Sequence, residues 1–187
     1  MIKSKKQLRE VLRAEKNIYL PKGRKLELIL TADNQYKLFR YLCLLRKTEY
    51  HYNNRENIYH KFSYLIYRRR KNVAGRKLGI EISENSFQEE LTIYHSVGIV
   101  VNGYARIGKG CKLHGNNCIG NDGKSLDAPI IGERVRLGVG AKVLGNVRIA
   151  DDVIIAAGAV VIDSCDEKGA VLAGVPARCV SKANSSK

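Results

Sequence analysis

Residues 136–161 read RLGVGAKVLGNVRIADDVIIAAGAVV and place an aliphatic residue at every sixth position. The anchors in this stretch are Leu137, Val143, Ile149, Ile155 and Val161. An amphipathic helix repeats its apolar residues near 3.6 and a strand near 2, so neither element explains this period. A six-residue repeat is typical of a parallel β-helix, in which each repeat forms one face of a prism. The stretch therefore predicts a β-helix.

The same frame extends toward the N-terminus and covers most of the second half of the chain. The further anchors are Val101, Ile107, Leu113, Ile119 and Ile131. Four residues after most anchors lies a small or β-branched residue, and these positions are Ala105, Cys111, Asn117, Val135, Ala141, Val147, Val153 and Ala159. Each buried aliphatic anchor contributes about 1.5–3 kcal/mol to stability, so a coil of this length can form a core.

Two interruptions break the frame. Residues 121–129, NDGKSLDAP, are polar and rich in turn formers, which predicts a loop extruded from the coil. The spacing from Ile93 to Val101 is eight residues rather than six, and His95 lies inside this break. An irregularity that carries a histidine in an otherwise strict repeat indicates a functional position.

Charge divides the chain into two regions. Residues 1–79 hold 21 Lys and Arg against 6 Asp and Glu, which accounts for the whole net charge of +15. Residues 80–187 hold 12 of each and are neutral overall. We therefore predict a basic α-helical domain over 1–78, a β-helix domain over 79–180 and a polar tail over 181–187.

Amphipathic patterns predict the helices of the basic domain. Residues 33–50 and 55–71 carry apolar residues at helical spacing, and residues 4–16 form a shorter candidate. Asp33 and Asn34 are the candidate N-caps of the helix over 33–50. The apolar positions of the stretch over 55–71 are Ile58, Tyr59, Phe62, Leu65 and Ile66.

Composition excludes several classes of protein. The longest apolar runs are far short of the roughly 18–20 residues that span a bilayer. The opening residues MIKSKKQLRE are not a secretory signal, because no apolar core follows the lysines. The five cysteines contain no C-x-x-C pair, which argues against a disulfide framework and against a zinc site. We expect a cytoplasmic protein with no metal.

The basic helices allow three interpretations. The cluster Arg68-Arg69-Arg70-Lys71 lies on a solvated face of an oligomerisation domain, contacts the anionic inner face of the membrane peripherally, or binds nucleic acid. No recognition motif accompanies the charge, so we expect no nucleic-acid partner. His51 and His60, in the same region, are expected to be surface residues.

The second half of the chain resembles a known family. The segments "GIEI", "IYHSVGIVV", "GVGAKVLGN" and "AGVPAR" are similar to those of the left-handed β-helix acyltransferases, in the serine acetyltransferase-like branch. The resemblance covers residues 79–180. It implies a left-handed coil and acetyl-CoA as cosubstrate, bound in a groove between neighbouring coils. It also implies a homotrimer or a dimer of trimers.

The resemblance also implies roles for individual residues. His95 corresponds to the catalytic histidine, and Glu81 to the carboxylate that orients it. The implied contacts to CoA are Gly120 and Asn121 in a Gly-rich turn, the backbone amides of Gly138, Val139, Ala156 and Ala157, and the phosphate partners Lys142 and Arg178. A histidine suits acyl transfer because its pKa lies near working pH, so it can take the proton of an acceptor hydroxyl. No cysteine lies in a nucleophile motif, which favours direct transfer over an acyl-enzyme.

The acceptor is where this sequence departs from the serine acetyltransferases. Their loop carries an R-H-P type sequence, and this chain has Asp127-Ala128-Pro129 there. We therefore expect an O-acetyltransferase acting on a sugar or polysaccharide precursor, with Asp127 on the acceptor side. Serine O-acetylation is the alternative, and a non-catalytic β-helix scaffold is the alternative of another class. His114 either lines the acceptor site or is a solvated corner.

Overall fold

A computed structural model describes residues 1–182 of the chain and contains four α-helices within them. These are α1 (Lys5–Tyr19), α2 (Lys25–Leu30), α3 (Asn34–Asn53) and α4 (Ile58–Leu78). Asp33 is the N-cap of α3, and its carboxylate accepts a hydrogen bond from Gln35 N at 2.7 Å. The three predicted helices are therefore present, and Asp33 rather than Asn34 is the cap. The sequence did not predict α2, because six residues are too few to show a helical period.

The β-helix follows directly on α4. Its strands are β1 (Ile80–Ile82), β2 (Thr92–Ile93), β3 (Ile99–Val101), β4 (Arg106–Ile107), β5 (Lys112–Leu113), β6 (Cys118–Gly120), β7 (Ile130–Ile131), β8 (Arg136–Leu137), β9 (Lys142–Leu144), β10 (Arg148–Ile149), β11 (Ile154–Ile155), β12 (Val160–Val161), β13 (Ala170–Gly174) and β14 (Ala177–Lys182). All pair in parallel except β13 and β14, which form an antiparallel pair at the end of the coil.

The strands stack into three sheets, one for each face of a left-handed prism. Sheet A has the order β1-β3-β6-β9-β12, sheet B the order β4-β7-β10, and sheet C the order β2-β5-β8-β11-β13-β14. Residues one turn apart are paired in register, as in the column Ile93, Leu113, Leu137, Ile155 and Leu172 of sheet C. The six-residue spacing predicted this stacking.

The predicted anchors form the core of the coil. All ten, from Val101 to Val161, are at most 4% exposed, and so are the eight residues that follow them by four. One of these, Asn117, is polar but fully buried, and its amide donates to Gly138 O at 2.8 Å and Ala141 O at 3.2 Å. Because the amide is bonded inside the coil, this position tolerates a polar residue.

The helical domain is fastened to the first coil by buried polar contacts. The guanidinium of Arg46 in α3 bonds Glu15 of α1 and the carbonyl oxygens of Phe87 and Gln88 in the coil. The hydroxyl of Tyr19 donates to Leu91 O at 3.3 Å. Both side chains are buried, so these contacts fix the helices against the coil.

The structure shows which face of α4 is outward and corrects the expectation that His51 lies at the surface. The apolar face of α4 points outward, and Ile58, Tyr59, Phe62, Leu65 and Ile66 are each 58–65% exposed. Helix α4 instead packs through Tyr64, Lys71 and Gly75. His51 is buried, and its Nδ1 lies 2.9 Å from His60 Nδ1 across the α3–α4 pair.

Residues 121–127 project from the coil between β6 and β7, as predicted, and most of them are exposed. No helix within the described residues is long and apolar enough to span a membrane. Residues 183–187, which make up most of the predicted polar tail, lie outside the described part of the chain.

Candidate active site

His95 lies at a corner of the prism, where the chain passes from sheet C to sheet A. β2 ends at Ile93, which is buried, and β3 begins at Ile99. Between them the chain makes a wider corner than at later coils, and His95 is exposed on it. Gly98 completes the turn with a φ of +64°. The break in the six-residue spacing thus places an exposed histidine at a corner that two buried strands hold in position.

Gly115 leaves room for His95 at the same corner one coil later. Its φ is +109°, and a Cβ there would lie 3.1 Å from both Cβ and O of His95. A larger residue would be strained in this conformation and would also press on the histidine. Buried Asn117 accepts a hydrogen bond from Gly115 N at 2.9 Å, which fixes the turn. The coil below therefore positions His95.

His114 and Tyr94 form a stacked pair beside His95. β2 and β5 are paired in register, so the residues that follow them lie side by side. Their ring centroids are 4.5 Å apart with an interplanar angle of 27°, and Tyr94 is 46% exposed. Partial burial lowers the pKa of His114, and the nearby His95 and Lys112 lower it further. His114 is therefore neutral near pH 7.

The positions stacked below this pair in the next two coils are the small residues Gly138 and Ala156, which we call the lane of small residues. Gly138 and Ala156 follow β8 and β11 as His114 follows β5. A Cβ on Gly138 would lie 2.6 Å from Ala157 N, so only glycine fits. The amides of Gly138 and Ala156 donate to carbonyls of the next coil. Among residues 1–182, those of Val139 and Ala157 have no acceptor, so two of the four expected amides can reach a ligand.

The other expected CoA contacts lie elsewhere on the chain. Gly120 is the last residue of β6, the central strand of sheet A, and the side chain of Asn121 donates to Ser125 O at 2.8 Å within the extruded loop. Lys142 is the first residue of β9 in sheet A and is exposed. Asp127 accepts from Asn146 Nδ2 at 3.4 Å. Gly120 and Asn121 therefore lie at the opposite end of the sheet A strands from His95.

Arg178 has a partner already. Its Nη1 forms an ion pair with Asp163 Oδ2 on the surface at the end of the coil. Both side chains are more than 60% exposed, so water screens the pair and an incoming phosphate can compete for the guanidinium.

Glu81 points away from the coil into a cavity of about 300 Å³ between β1 and α4. Arg68, Asn72 and Arg76 of α4 line the same cavity. In the described part of the chain, Glu81 forms no hydrogen bond to His95. The expected contact between the two is therefore absent in this arrangement.

Tyr94 and Asn117 are parts of the site that sequence reasoning missed. The stack of Tyr94 on His114 follows from extending the six-residue register to β2, across the irregular corner. No group of three or more metal-ligating side chains occurs among residues 1–182.

Comparison with known proteins gives the relatives of this chain. Residues 128–163 match the family model described as bacterial transferase hexapeptide (six repeats). A serine acetyltransferase of Staphylococcus aureus is 31% identical over 134 residues, which are 66% of this chain and 62% of that protein. A serine acetyltransferase of Synechococcus elongatus is 30% identical over 132 residues, 65% of this chain and 54% of that one. The chain thus spans less than two thirds of the length of these curated relatives.

Solved structures show the same fold. A serine acetyltransferase in complex with cysteine has a TM-score of 0.75 and 27% identity, and the match covers 95% of this chain and 71% of that one. A serine acetyltransferase from Brucella abortus in complex with coenzyme A also has a TM-score of 0.75, at 23% identity, over 96% and 70% of the two chains. By sequence and fold together, the chain is similar to the hexapeptide-repeat acyltransferases of the serine acetyltransferase-like branch.

Proposed function

We propose that the protein is an acetyl-CoA-dependent O-acetyltransferase and that His95 is its general base. The observation that carries the proposal is the exposed His95 at the head of a lane of small residues, with Gly115 clearing space beside it. The relatives named as serine acetyltransferases support the same reaction class. The chemistry needs only a base, a site for the thioester and donors for the oxyanion.

His95 takes the proton of the acceptor hydroxyl as its oxygen attacks the thioester carbonyl carbon. The tetrahedral intermediate then expels the CoA sulfur, and the protonated imidazole returns the proton to the departing thiolate. General-base catalysis of this kind contributes typically about 10²–10⁴-fold to the rate. Glu81 serves as the positioning residue for His95 once its side chain turns from the α4 cavity toward the imidazole.

The free amides of Val139 and Ala157 are suited to ligand binding. Both belong to the corner that carries His95, two and three coils further along. Backbone amides that are held in place stabilise a developing oxyanion without reorganisation, and they also bond the amide groups of a pantetheine arm. The amides of Gly138 and Ala156 are not available to a ligand, because they already donate to Ile155 O and Leu172 O of the next coil.

A complete site needs a second copy of the chain. His95 lies where the strands of sheet A begin, just before β3, whereas Gly120 and Asn121 lie where the strands end, at and just after the last residue of β6. A cosubstrate bound in a groove between the β-helices of two copies would contact the corner that carries His95 in one copy and the extruded loop after Gly120 in its neighbour. This supports the homotrimer, or a dimer of trimers, that the family resemblance implies.

L-serine is the acceptor we propose. The sugar hydroxyl expected from the sequence rested on Asp127-Ala128-Pro129 in place of an R-H-P type sequence, but the Ala128 side chain is 8% exposed and belongs to the core cluster. A residue facing the core does not contact an acceptor on its own chain. The relatives are named for serine, so the alternative acceptor is better supported than the main expectation.

A sugar hydroxyl is the second candidate, and one observation favours it. The exposed ring of Tyr94, backed by His114, offers a flat apolar face beside His95. Aromatic faces of this kind pack well against the C–H face of a pyranose ring. A free amino acid has no comparable ring to place there.

An acceptor comparison tests the proposal. The purified chain is given acetyl-CoA, and CoA thiol release is followed with L-serine, with D-serine as the matched control, and with a methyl glucoside. Release with L-serine and stoichiometric O-acetylserine supports the proposal. Turnover of the glucoside alone transfers the assignment to the second candidate. No release with any acceptor supports the non-catalytic scaffold.

A peripheral membrane contact and a cytoplasmic location stay predictions. The basic and apolar outer face of α4 is compatible with an anionic surface, because apolar residues there are flanked by arginines. The comparisons carry no support for a membrane contact.

A further inference from the structure

A polar cavity separates α4 from the first strand of the coil. It has a volume of about 300 Å³ and is lined by Arg68, Asn72 and Arg76 of α4 and by Glu81 of β1, among others. A second cavity of about 460 Å³ along the outer side of α4 shares the same three α4 residues. These three are spaced four residues apart, so they form one row along the helix.

The charges in this pair of cavities do not cancel. Lys71 is paired with Glu84 at 2.9 Å and with Ile82 O at 2.8 Å, so its ammonium is already satisfied. In residues 1–182, no carboxylate lies within 4.0 Å of the guanidinium nitrogens of Arg68, Arg69 or Arg76. Three guanidinium groups without a carboxylate partner thus line the cavities, of which Arg69 lines only the larger one. That of Arg68 also lies 5.7 Å from the centroid of the Tyr64 ring.

Among the described lining residues, one unpaired carboxylate opposes them. Glu81 lines the smaller cavity and forms no ion pair there. The net charge of the unpaired groups is therefore positive. A cleft lined by one sign of charge focuses the field and attracts ions of the opposite sign.

We infer that the α4–β1 cavity is a binding site for a phosphate group. Guanidinium groups bond phosphate oxygens through two parallel hydrogen bonds, which fixes geometry as well as charge. Asn72 and Ser83 contribute a neutral amide and a hydroxyl to the same lining. The site goes beyond the proposed acetyl transfer, because His95 and the lane of small residues are not among its lining residues. Glu81, the proposed positioning residue of His95, is the one lining residue that the two sites share.

Two sources of phosphate fit this chemistry. A free phosphorylated metabolite would use the smaller cavity alone. An anionic lipid headgroup would also place acyl chains against the exposed Leu65 and Val73, which line the larger cavity. The phosphate contact to Arg68 and Arg76 is the same in both cases.

The test compares two charge-matched double variants of the full chain. Arg68→Gln/Arg76→Gln removes the guanidiniums of the cavity. Arg9→Gln/Arg13→Gln removes two exposed arginines of α1 and lowers the net charge equally. Inorganic pyrophosphate, measured by calorimetry, is the probe for a free phosphate. Sedimentation with phosphatidylglycerol vesicles, against phosphatidylcholine vesicles, is the probe for a headgroup.

We expect the unmodified chain to bind at least one of the two probes. Its affinity should fall at least about tenfold in Arg68→Gln/Arg76→Gln and less than twofold in the α1 variant. Binding of neither probe, or an equal loss in both variants, overturns the inference.

The KM for acetyl-CoA separates this inference from the proposed function. It should be unchanged in Arg68→Gln/Arg76→Gln, because the cavity is separate from the lane beside His95. A raised KM together with lost pyrophosphate binding would make the cavity part of the CoA groove and overturn a separate site. A normal KM with normal pyrophosphate binding would overturn the inference and leave the acetyltransferase proposal intact.

Discussion

Replacing Arg46 with alanine should destabilise the protein more than any single change at its surface. The guanidinium is 1% exposed and bonds Glu15 at 2.7 and 2.9 Å and Glu49 at 3.0 Å. It also donates to Phe87 O at 2.9 Å and Gln88 O at 2.6 Å. Burial alone would lower the pKa of Arg46, but the two carboxylates outweigh it and raise that pKa. The side chain is therefore charged and joins three parts of the fold.

The magnitude follows from what the alanine would leave behind. Glu15 is fully buried, and its Oε2 already lacks a hydrogen-bond partner within the described residues. Removing one partner of a buried pair leaves an uncompensated charge and costs about 3–5 kcal/mol. A domain of ordinary stability has roughly 5–15 kcal/mol in total, so Arg46→Ala should lose a large fraction of it.

Urea unfolding followed by circular dichroism measures this loss, with Arg24→Ala as the matched control. Arg24 forms the same i,i+3 ion pair with Glu27, but both side chains are more than half exposed. Exposed pairs contribute little because water screens them. Arg46→Lys, which keeps the charge, should fall between the two and covers the case in which Arg46→Ala does not fold. An Arg46→Ala protein no less stable than Arg24→Ala would refute the reasoning.

Three further predictions follow from single residues. Gly115→Ala should lower the free energy of unfolding in urea by roughly 1–3 kcal/mol, because Gly115 has a φ of +109°. It should also lower kcat, because the added Cβ displaces His95. Unchanged stability and unchanged kcat would contradict this prediction. Burial lowers the pKa of His51, so the folded state binds a proton at this histidine less readily than the unfolded chain does, and stability is lost as the pH falls below the ordinary histidine pKa. The free energy of unfolding should therefore decline from pH 7 to pH 5, and it should decline less in His51→Gln. Equal declines in the two proteins would count against this prediction. Burial raises the pKa of Cys111 to about 12, so a thiol reagent at pH 8 should label exposed Cys179 long before Cys111; equal rates would argue for an open coil.

The β-helix could be predicted because its repeat requires an apolar side chain at each anchor position. Every sixth side chain points into a narrow prism, so an aliphatic residue there is required by packing alone. The loop over 121–129 could be predicted for the opposite reason, since its polar residues cannot fill an interior. Asn117 shows the limit, because its burial depends on carbonyl oxygens of the next coil that no local pattern reveals.

The helical domain was harder to predict. Helical spacing in α4 was correct, but spacing does not say which face meets the rest of the protein. The structure turns Phe62 and Leu65 outward and buries Lys71, which the carboxylate of Glu84 compensates. His51 was expected at the surface for a similar reason, since its burial depends on contact with His60 from another helix.

The candidate site could be predicted in part. His95 was visible as an interruption in a strict repeat. The stack of Tyr94 on His114 needs two strands 20 residues apart in sequence to pair in register, so it emerges only from the three-dimensional structure. The direction of Glu81 depends on a helix that packs beside β1, and sequence similarity carries no information about that contact.

The most direct test of the account is the turnover number of a His95→Asn variant with acetyl-CoA and the best acceptor of the comparison above. Asparagine keeps a polar group of similar size at the corner but cannot act as a base, and His114→Gln is the matched control one coil away. The account predicts a kcat at least about 10²-fold lower for His95→Asn, with unchanged unfolding and unchanged acetyl-CoA binding. Near-normal turnover by His95→Asn would contradict the assignment of His95 as the base. So would a 10²-fold loss of kcat that occurs in His114→Gln and not in His95→Asn.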